Sequence, residues 1–243
     1  MITKERITRG ALLPPWLRHQ HEARYDWAAL RAAGNIVLDI ACANGYGSAV
    51  LAAHSASRVV AADIAIEPLI EARTRKHIDV LCASVLRLPF PDATFDLVVS
   101  LETIEHVRDD AAYVAEIRRV MKDDGVLICS TPNRAVLNPG RSQADAPFNR
   151  FHVREYTAPE FEAVLRTRFP VVTLLGQTGY NARYVAALAA IGHRLPMVAV
   201  RMHQLRKLAG TPFERRARHE PRPLPFAGAE AEVLIGVAGQ RGL

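Results

Sequence analysis

The chain reads as an α/β domain built on a doubly wound, mostly parallel sheet of seven strands with helices on both faces. Three observations carry that reading. Short apolar runs alternate with amphipathic segments between residues 36 and 130, at the spacing of strand–helix–strand units. Runs such as VLDIA and DLVVS are almost continuously apolar, as strands buried on both faces are. Hydrophobic residues make up 49% of the 243 and aromatics 7%, which suits one domain with a large aliphatic core.

The elements follow in order. Apolar residues recur at helical spacing over 15–33, and Gly34-Asn35 ends that helix. NIVLDIA is the first strand, CANGYGS a loop and AVLAAH a helix. RVVAADI is the second strand, followed by a helix over EPLIEARTRK with Pro68 in its first turn. IDVLCAS is the third strand, PFPDAT a turn and FDLVVSLE the fourth strand. DDAAYVAEIRRVMKDDG is amphipathic, with Tyr113, Ile117, Val120 and Met121 on one face and Gly125 as its stop. VLICSTPN is the fifth strand, and residues 133–152 form a polar loop. TAPEFEAVLRTRF is a helix capped by Thr157, with Glu160 three residues on. PVVTLLGQ is the sixth strand, residues 180–210 are helical with an interruption at Pro196, and AEVLIGVAG is the seventh strand. The layout is a single domain: a helical cover (1–34), a core (35–179), a helical insertion (180–228) and a final strand (229–243).

The net charge of +6 is local. Residues 180–222 hold nine arginines and lysines against Glu214 and Glu220, so the rest of the chain is close to neutral. Nothing reaches the ~18 consecutive apolar residues of a spanning helix. MITKERITRG lacks the apolar run of a secretory leader. Cys42, Cys82 and Cys129 fit no zinc spacing and read as buried, reduced thiols of a cytoplasmic protein.

In an open parallel sheet, ligands bind beyond the carboxyl ends of the strands at the topological switch point. Several features converge there. Asp39 begins the series D-x-A-x-A-x-G-x-G, whose small residues Ala41, Ala43, Gly45 and Gly47 let the backbone approach a ligand closely. Asp63 ends the second strand, where a carboxylate can accept both hydroxyls of a ribose. Ser84-Val85 follows the third strand and Leu101-Glu102 the fourth. A nicotinamide site uses the same fold and the same ribose acid, but it places G-x-G-x-x-G directly after the strand. Here position 50 is Val, so the third glycine is missing.

VLDIACANGYGS, VVAADI, LRLPFPDATFDLVVSLETIEHV and VMKDDGVLICSTPN together resemble the class I S-adenosylmethionine-dependent methyltransferases, a Rossmann-like family. The likeness is to the branch containing ubiquinone-type and glycan-cluster enzymes, and it extends faintly to FHVREYTAPEF. The resemblance implies S-adenosylmethionine as methyl donor and S-adenosylhomocysteine as product. It implies that Asp39 orders the loop and meets the donor's amino group, that Ala41, Asn44 and Gly45 approach the methionine part, and that Asp63 holds the ribose. Ile64 and Val85 would sandwich the adenine, Ser84 would accept from its amino group, and Leu101 and His106 would line the methyl end. HQHEARY resembles the segment closing over the donor in glycan-cluster relatives, so Tyr25 or Arg24 would reach the donor carboxylate. The family often has glycine at 41 and 43 and Asp at 84; this chain has Ala41, Ala43 and Ser84.

Methyl transfer to oxygen needs an aligned nucleophile and a place for its proton. A metal is not required, and no ligand cluster stands out in the sequence. SLET after the fourth strand lacks the Asn/Asp-Pro-Pro-aromatic motif of many amino-directed nucleic-acid enzymes. Glu102, His106 and His152 are the candidate catalytic residues, His106 being able to act as a neutral base. Glu105 reads as structural. The expected reaction is O-methylation of a small-molecule or glycan acceptor. The basic insertion reads as a lid for an acidic or phosphorylated acceptor, as a peripheral contact with an anionic membrane, or as a homodimer contact. Nucleic acid fits less well because aromatics for base stacking are few. Methylation of RNA or protein, and a non-catalytic donor-binding scaffold, stand as alternatives.

Overall fold

The computed structural model describes residues 15–138, 140–147, 149–177, 222–223, 231 and 233–240. Its elements are α1 (Pro15–Ala29), β1 (Ile36–Ile40), α2 (Tyr46–Ala53), β2 (Arg58–Asp63), α3 (Ile66–Ala72), β3 (Asp79–Cys82) and β4 (Phe95–Leu101). A 3₁₀ turn over Ile104–His106 leads to α4 (Asp110–Val120) and β5 (Met121–Pro132). Then come α5 (Arg134–Leu137), α6 (Ala158–Arg166), β6 (Val171–Gln177), β7 (Arg222–Pro223) and β8 (Val233–Gly239). They form one sheet in the order β3-β2-β1-β4-β5-β8-β6-β7. The first five strands of that order are parallel, and β8 runs antiparallel to both β5 and β6. The expected seven-strand, mostly parallel sheet is present, with the two-residue β7 added at the edge beside β6. The expected helices of the basic insertion lie outside the described residues. No helix among the described residues is long and apolar enough to cross a membrane.

Strand periodicity sorts the core onto two faces. From β1, Leu38 and Ile40 join Tyr113, Ile117, Phe161 and Leu165 under α4 and α6, whereas Val37 joins Tyr25, Ala28 and Leu51 under α1 and α2. Asp39 shares its face with Val37, so its carboxylate is aimed into the α1–α2 layer. The chain leaves β1 toward β2 on one side and, after β3, returns to place β4 on the other. That switch point gathers the carboxyl ends of β1, β2 and β4 at one edge.

Several boundaries differ from expectation: α3 ends at Ala72 rather than Lys76, and α5 lies within the stretch expected as a polar loop. Helix α1 ends at Ala29, and residues 30–34 continue as turns. Helix α2 starts at Tyr46, with Gly45 at φ 69° as its N-cap. Helix α4 stops at Val120 rather than Gly125, and Met121 is already extended and pairs with Phe95. The stop needs no glycine, because the last helical carbonyls, those of Arg119 and Val120, accept from the N–H groups of Ala93 and Thr94. Gly125 instead follows a register shift in β5, where a Cβ would meet backbone oxygens of Lys122, Phe95 and Asp96 at 3.0, 3.1 and 3.3 Å. Capping of α6 is as expected: the Thr157 N–H and hydroxyl both donate to Glu160 Oε2, at 2.7 and 2.9 Å. Of the three free cysteines, Cys42 and Cys129 are buried as expected, but Cys82 is exposed at the sheet edge. Gly125→Val should destabilise the chain by about 1–3 kcal/mol, since backbone cannot move aside as a side chain can; a lowered urea midpoint would report it.

Candidate active site

The site begins at the end of β1. Ala41, Ala43 and Gly45 all take positive φ, at 56°, 48° and 69°. The two alanines thus adopt the left-handed conformation that glycine takes freely, at roughly 1–2 kcal/mol each. Three bonds set the loop's path: Cys42 N–H to Ala62 O, Ala43 N–H to Asp63 Oδ2, and Gly45 N–H to Cys42 O, at 3.1, 3.0 and 2.9 Å. Asp63, at the end of β2, also accepts from Ala65 N–H at 2.8 Å, so one carboxylate positions backbone on both sides of the mouth. The side-chain amide of Asn44, expected at the donor, donates to Glu71 Oε1 on α3, and its backbone carbonyl accepts from Arg75 Nε. It anchors the loop.

Asp39 is wholly buried. Ser48 Oγ on α2 donates to one carboxylate oxygen at 2.5 Å and Tyr25 OH on α1 to the other at 3.0 Å. Burial pushes its pKa up to about 7, against the two hydroxyl donors, and the Asp63 charge adds to the rise. The Tyr25 ring lies on Gly47, where a Cβ would come within 2.1 Å of it. Tyr25 therefore joins α1 to β1 instead of reaching outward. Arg24, also buried, donates to Gln177 Oε1 at 2.6 Å and has Glu102 Oε1 3.7 Å from its Nη2. His21 bonds Tyr46 OH, and burial holds its pKa well below the ordinary value, with the Arg24 charge adding to that.

The adenine side is open and apolar. Ile64 is 67% exposed immediately after Asp63, and Val85 is half-buried against the core. Ser84 Oγ accepts from Leu86 N–H at 3.3 Å within a tight turn. Leu101 is buried and its carbonyl accepts from Thr103. An exposed apolar wall beside a carboxylate at a strand end has the chemistry expected of a nucleoside site.

The opposite end carries the candidate catalytic residues. Glu102 sits at φ 51°, its Oε1 accepting from Ser130 Oγ at 2.7 Å. Val153 and Arg154 donate their N–H groups to Glu105 O, at 2.7 and 3.2 Å. These bonds bring the distant His152 onto His106, ring centroids 5.1 Å apart and edge to face. His106 Nδ1 lies 3.0 Å from the Phe151 carbonyl. A carbonyl only accepts, so Nδ1 carries the proton and Nε2 the lone pair. His152 is held by Glu155 Oε1 at Nδ1 (2.8 Å) and by the Asn149 side-chain amide at Nε2 (2.9 Å). Glu105, His106 and His152 place potential ligand atoms within 4.8 Å of one another. The expectation of no ligand cluster is thereby corrected: residues 105 and 152 are remote in sequence and meet only in the fold. Sequence reasoning also missed Ser48, Gln177, Asn149 and Glu155; only Glu155, three residues after a histidine, carried any signal.

A family profile described as a methyltransferase domain matches residues 38–129. A probable S-adenosylmethionine-dependent methyltransferase of Mycolicibacterium smegmatis is 39% identical over 177 residues, covering 72% of this chain and 67% of that protein. The chain belongs to the S-adenosylmethionine-dependent methyltransferases. A ubiquinone biosynthesis O-methyltransferase of Cereibacter sphaeroides is 35% identical to this methyltransferase over 127 residues, covering 49% of the chain and 51% of that protein. The methyltransferase thus spans half to two thirds of the length of these relatives. Among solved structures, the [4+2]-cyclase SpnF superposes with a TM-score of 0.60 at 17% identity, over 98% of this chain and 86% of that one. That likeness shows the fold alone, and a cyclase on this fold shows why the reaction must be argued from the site.

Two outcomes follow for the methyltransferase. Ala41→Gly should raise stability by about 1 kcal/mol by removing left-handed strain, whereas Ala28→Gly inside α1 should lower it by about as much; urea midpoints measure both. Asp39 has a folded-state pKa above its unfolded value, so the native state binds the extra proton. Its contribution to stability is therefore greatest at low pH and falls by about 1.4 kcal/mol per pH unit between roughly 4 and 7. The stability of the wild type relative to Asp39→Asn should fall between pH 5 and pH 7.5; a difference that is flat or rises would contradict the shifted carboxylate.

Proposed function

We propose that this methyltransferase transfers the methyl group to an oxygen of a small-molecule or sugar-containing acceptor. The observation that carries the reading is the pairing of His106, after β4, with His152, from the loop before α6, the Nδ1 of His106 being committed to a carbonyl and that of His152 to a carboxylate. The similarity to a ubiquinone biosynthesis O-methyltransferase supports oxygen as the acceptor atom, as does SLET in place of an amino-directed motif.

When bound, S-adenosylmethionine supplies a methyl already activated by its sulfonium. Asp63, the loop 41–45 and Ile64 hold the donor, Asp63 at the ribose and Ile64 at the adenine. The acceptor hydroxyl is presented at His106 and His152. As the acceptor oxygen took the methyl, its hydroxyl proton would be taken up at Nε2 of His106, whose Nδ1 is held by the Phe151 carbonyl. Alignment supplies most of the acceleration, and loss of the proton acceptor typically costs about 10²–10⁴-fold.

The test is transfer of an isotopically labelled methyl from the donor to a panel of hydroxylated metabolites and glycans, with the product mapped by mass spectrometry. Label on oxygen is expected. His106→Ala should lower kcat by about 10²-fold or more while leaving donor affinity unchanged. Label on nitrogen of RNA or protein would replace this reading, and donor binding without turnover on any class would favour a scaffold.

A further inference from the structure

We propose that Glu105, His106 and His152 form a binding site for a first-row divalent metal ion, which would take up the acceptor oxygen. This deepens the oxygen-methylation reading and rests on it. One nitrogen from each histidine and one carboxylate oxygen of Glu105 lie within 4.8 Å of one another. Ligand atoms about 2.0–2.2 Å from a common ion stand roughly 3–3.5 Å apart, so side-chain shifts of about 1 Å close the set.

Proximity alone would not make a site; what surrounds the three ligands does. Metal-bound histidines characteristically donate their second ring N–H to a carbonyl or a carboxylate, which fixes the tautomer and raises ligand basicity. Both arrangements occur here. His106 Nδ1–H donates to the Phe151 carbonyl, and His152 Nδ1–H donates to Glu155 Oε1. Thr131 Oγ1 donates to Glu105 Oε2 at 3.0 Å, orienting the carboxylate. Each histidine thus carries its lone pair on Nε2. At His152 that lone pair accepts the Asn149 side-chain N–H at 2.9 Å. The amide occupies the place of the ion, and binding would require it to swing out. Backbone bonds from Val153 and Arg154 to Glu105 O couple the loop bearing His152 to the turn bearing the other two ligands, so the three move as a unit.

Two imidazoles and one carboxylate suit Zn²⁺, Co²⁺, Fe²⁺ or Mn²⁺ better than the all-oxygen sets of Ca²⁺. Three protein ligands leave at least one open position, as catalytic sites do. An acceptor hydroxyl entering it would lose its proton more readily, because the cation stabilises the alkoxide. With its Nε2 lone pair on the ion, His106 would act on the hydroxyl through the metal, and the proton would leave to solvent water.

The experiment uses the full chain, stripped with a chelator and titrated with Co²⁺, whose visible absorption reports coordination. Stoichiometric binding is expected in the wild type, with at least a tenfold loss of affinity in His106→Ala and in His152→Ala. Asn149→Ala should bind Co²⁺ several-fold more tightly, a gain that a misfolded variant cannot mimic. Absence of binding, or binding indifferent to all three substitutions, would overturn the site. S-adenosylhomocysteine titration of the same stripped samples and methyl transfer with and without metal separate the two claims. Donor binding with metal-independent oxygen methylation would refute the ion's role at the acceptor oxygen and leave the oxygen-methylation reading standing. Methylation at an atom other than oxygen would refute the underlying reading.

Discussion

The carboxyl group of Asp39 is wholly buried, and among the described residues two hydroxyls offset that burial, Tyr25 OH from α1 and Ser48 Oγ from α2. A carboxylate taken out of water demands such partners, and these two come from different helices. Satisfying it therefore fixes where α1 crosses the end of β1 and how α2 begins. The Tyr25 ring can reach the acid only because position 47 has no Cβ. Once α1 is seated, its buried Arg24 meets Gln177 at the end of β6 and approaches Glu102 after β4. One buried charge thus ties together three strand ends that form the mouth.

Above that foundation, the site divides by chemistry. The donor end is made of backbone: a loop with three left-handed residues in five, held against Asp63, beside an open apolar wall at Ile64. Two of those left-handed residues are alanines, a strained choice of the kind found where close backbone approach matters more than stability. The proposed acceptor end is made of side chains: hydrogen bonds engage Nδ1 of His106 and both ring nitrogens of His152, so Nε2 of His106 is the nitrogen offered to the acceptor. Glu155 and Phe151 do that orienting work from the long loop before α6.

Much of the donor end was legible in the sequence. A strand end, an acid, spaced small residues and a second acid at the next strand end fix each other's positions in any doubly wound sheet, so Asp39, Gly45 and Asp63 stand where the pattern puts them. Partner choice was less legible. Asn44 has the right address but turns to Glu71, because α3 offers an acceptor on that side. Ser84 Oγ turns to its own backbone, as serine in tight turns does. The end of α4 was misread because the carbonyls that would have required a C-cap are met by residues 93 and 94, from a preceding turn. The meeting of His106 with His152 was illegible for the same reason: it is set by the Glu105 carbonyl, which accepts from the distant Val153 and Arg154, and no local pattern encodes it.

Everything proposed for the site depends on donor binding at the switch point. Calorimetric titration of the full chain with S-adenosylmethionine and S-adenosylhomocysteine, beside Asp63→Ala checked for an intact fold by circular dichroism, tests it most directly. The account expects one-site binding of both ligands by the wild type and an affinity loss of about tenfold or more, ~1.4 kcal/mol, in the variant. Failure of the wild type to bind either ligand, or equal binding by a folded Asp63→Ala, would contradict it.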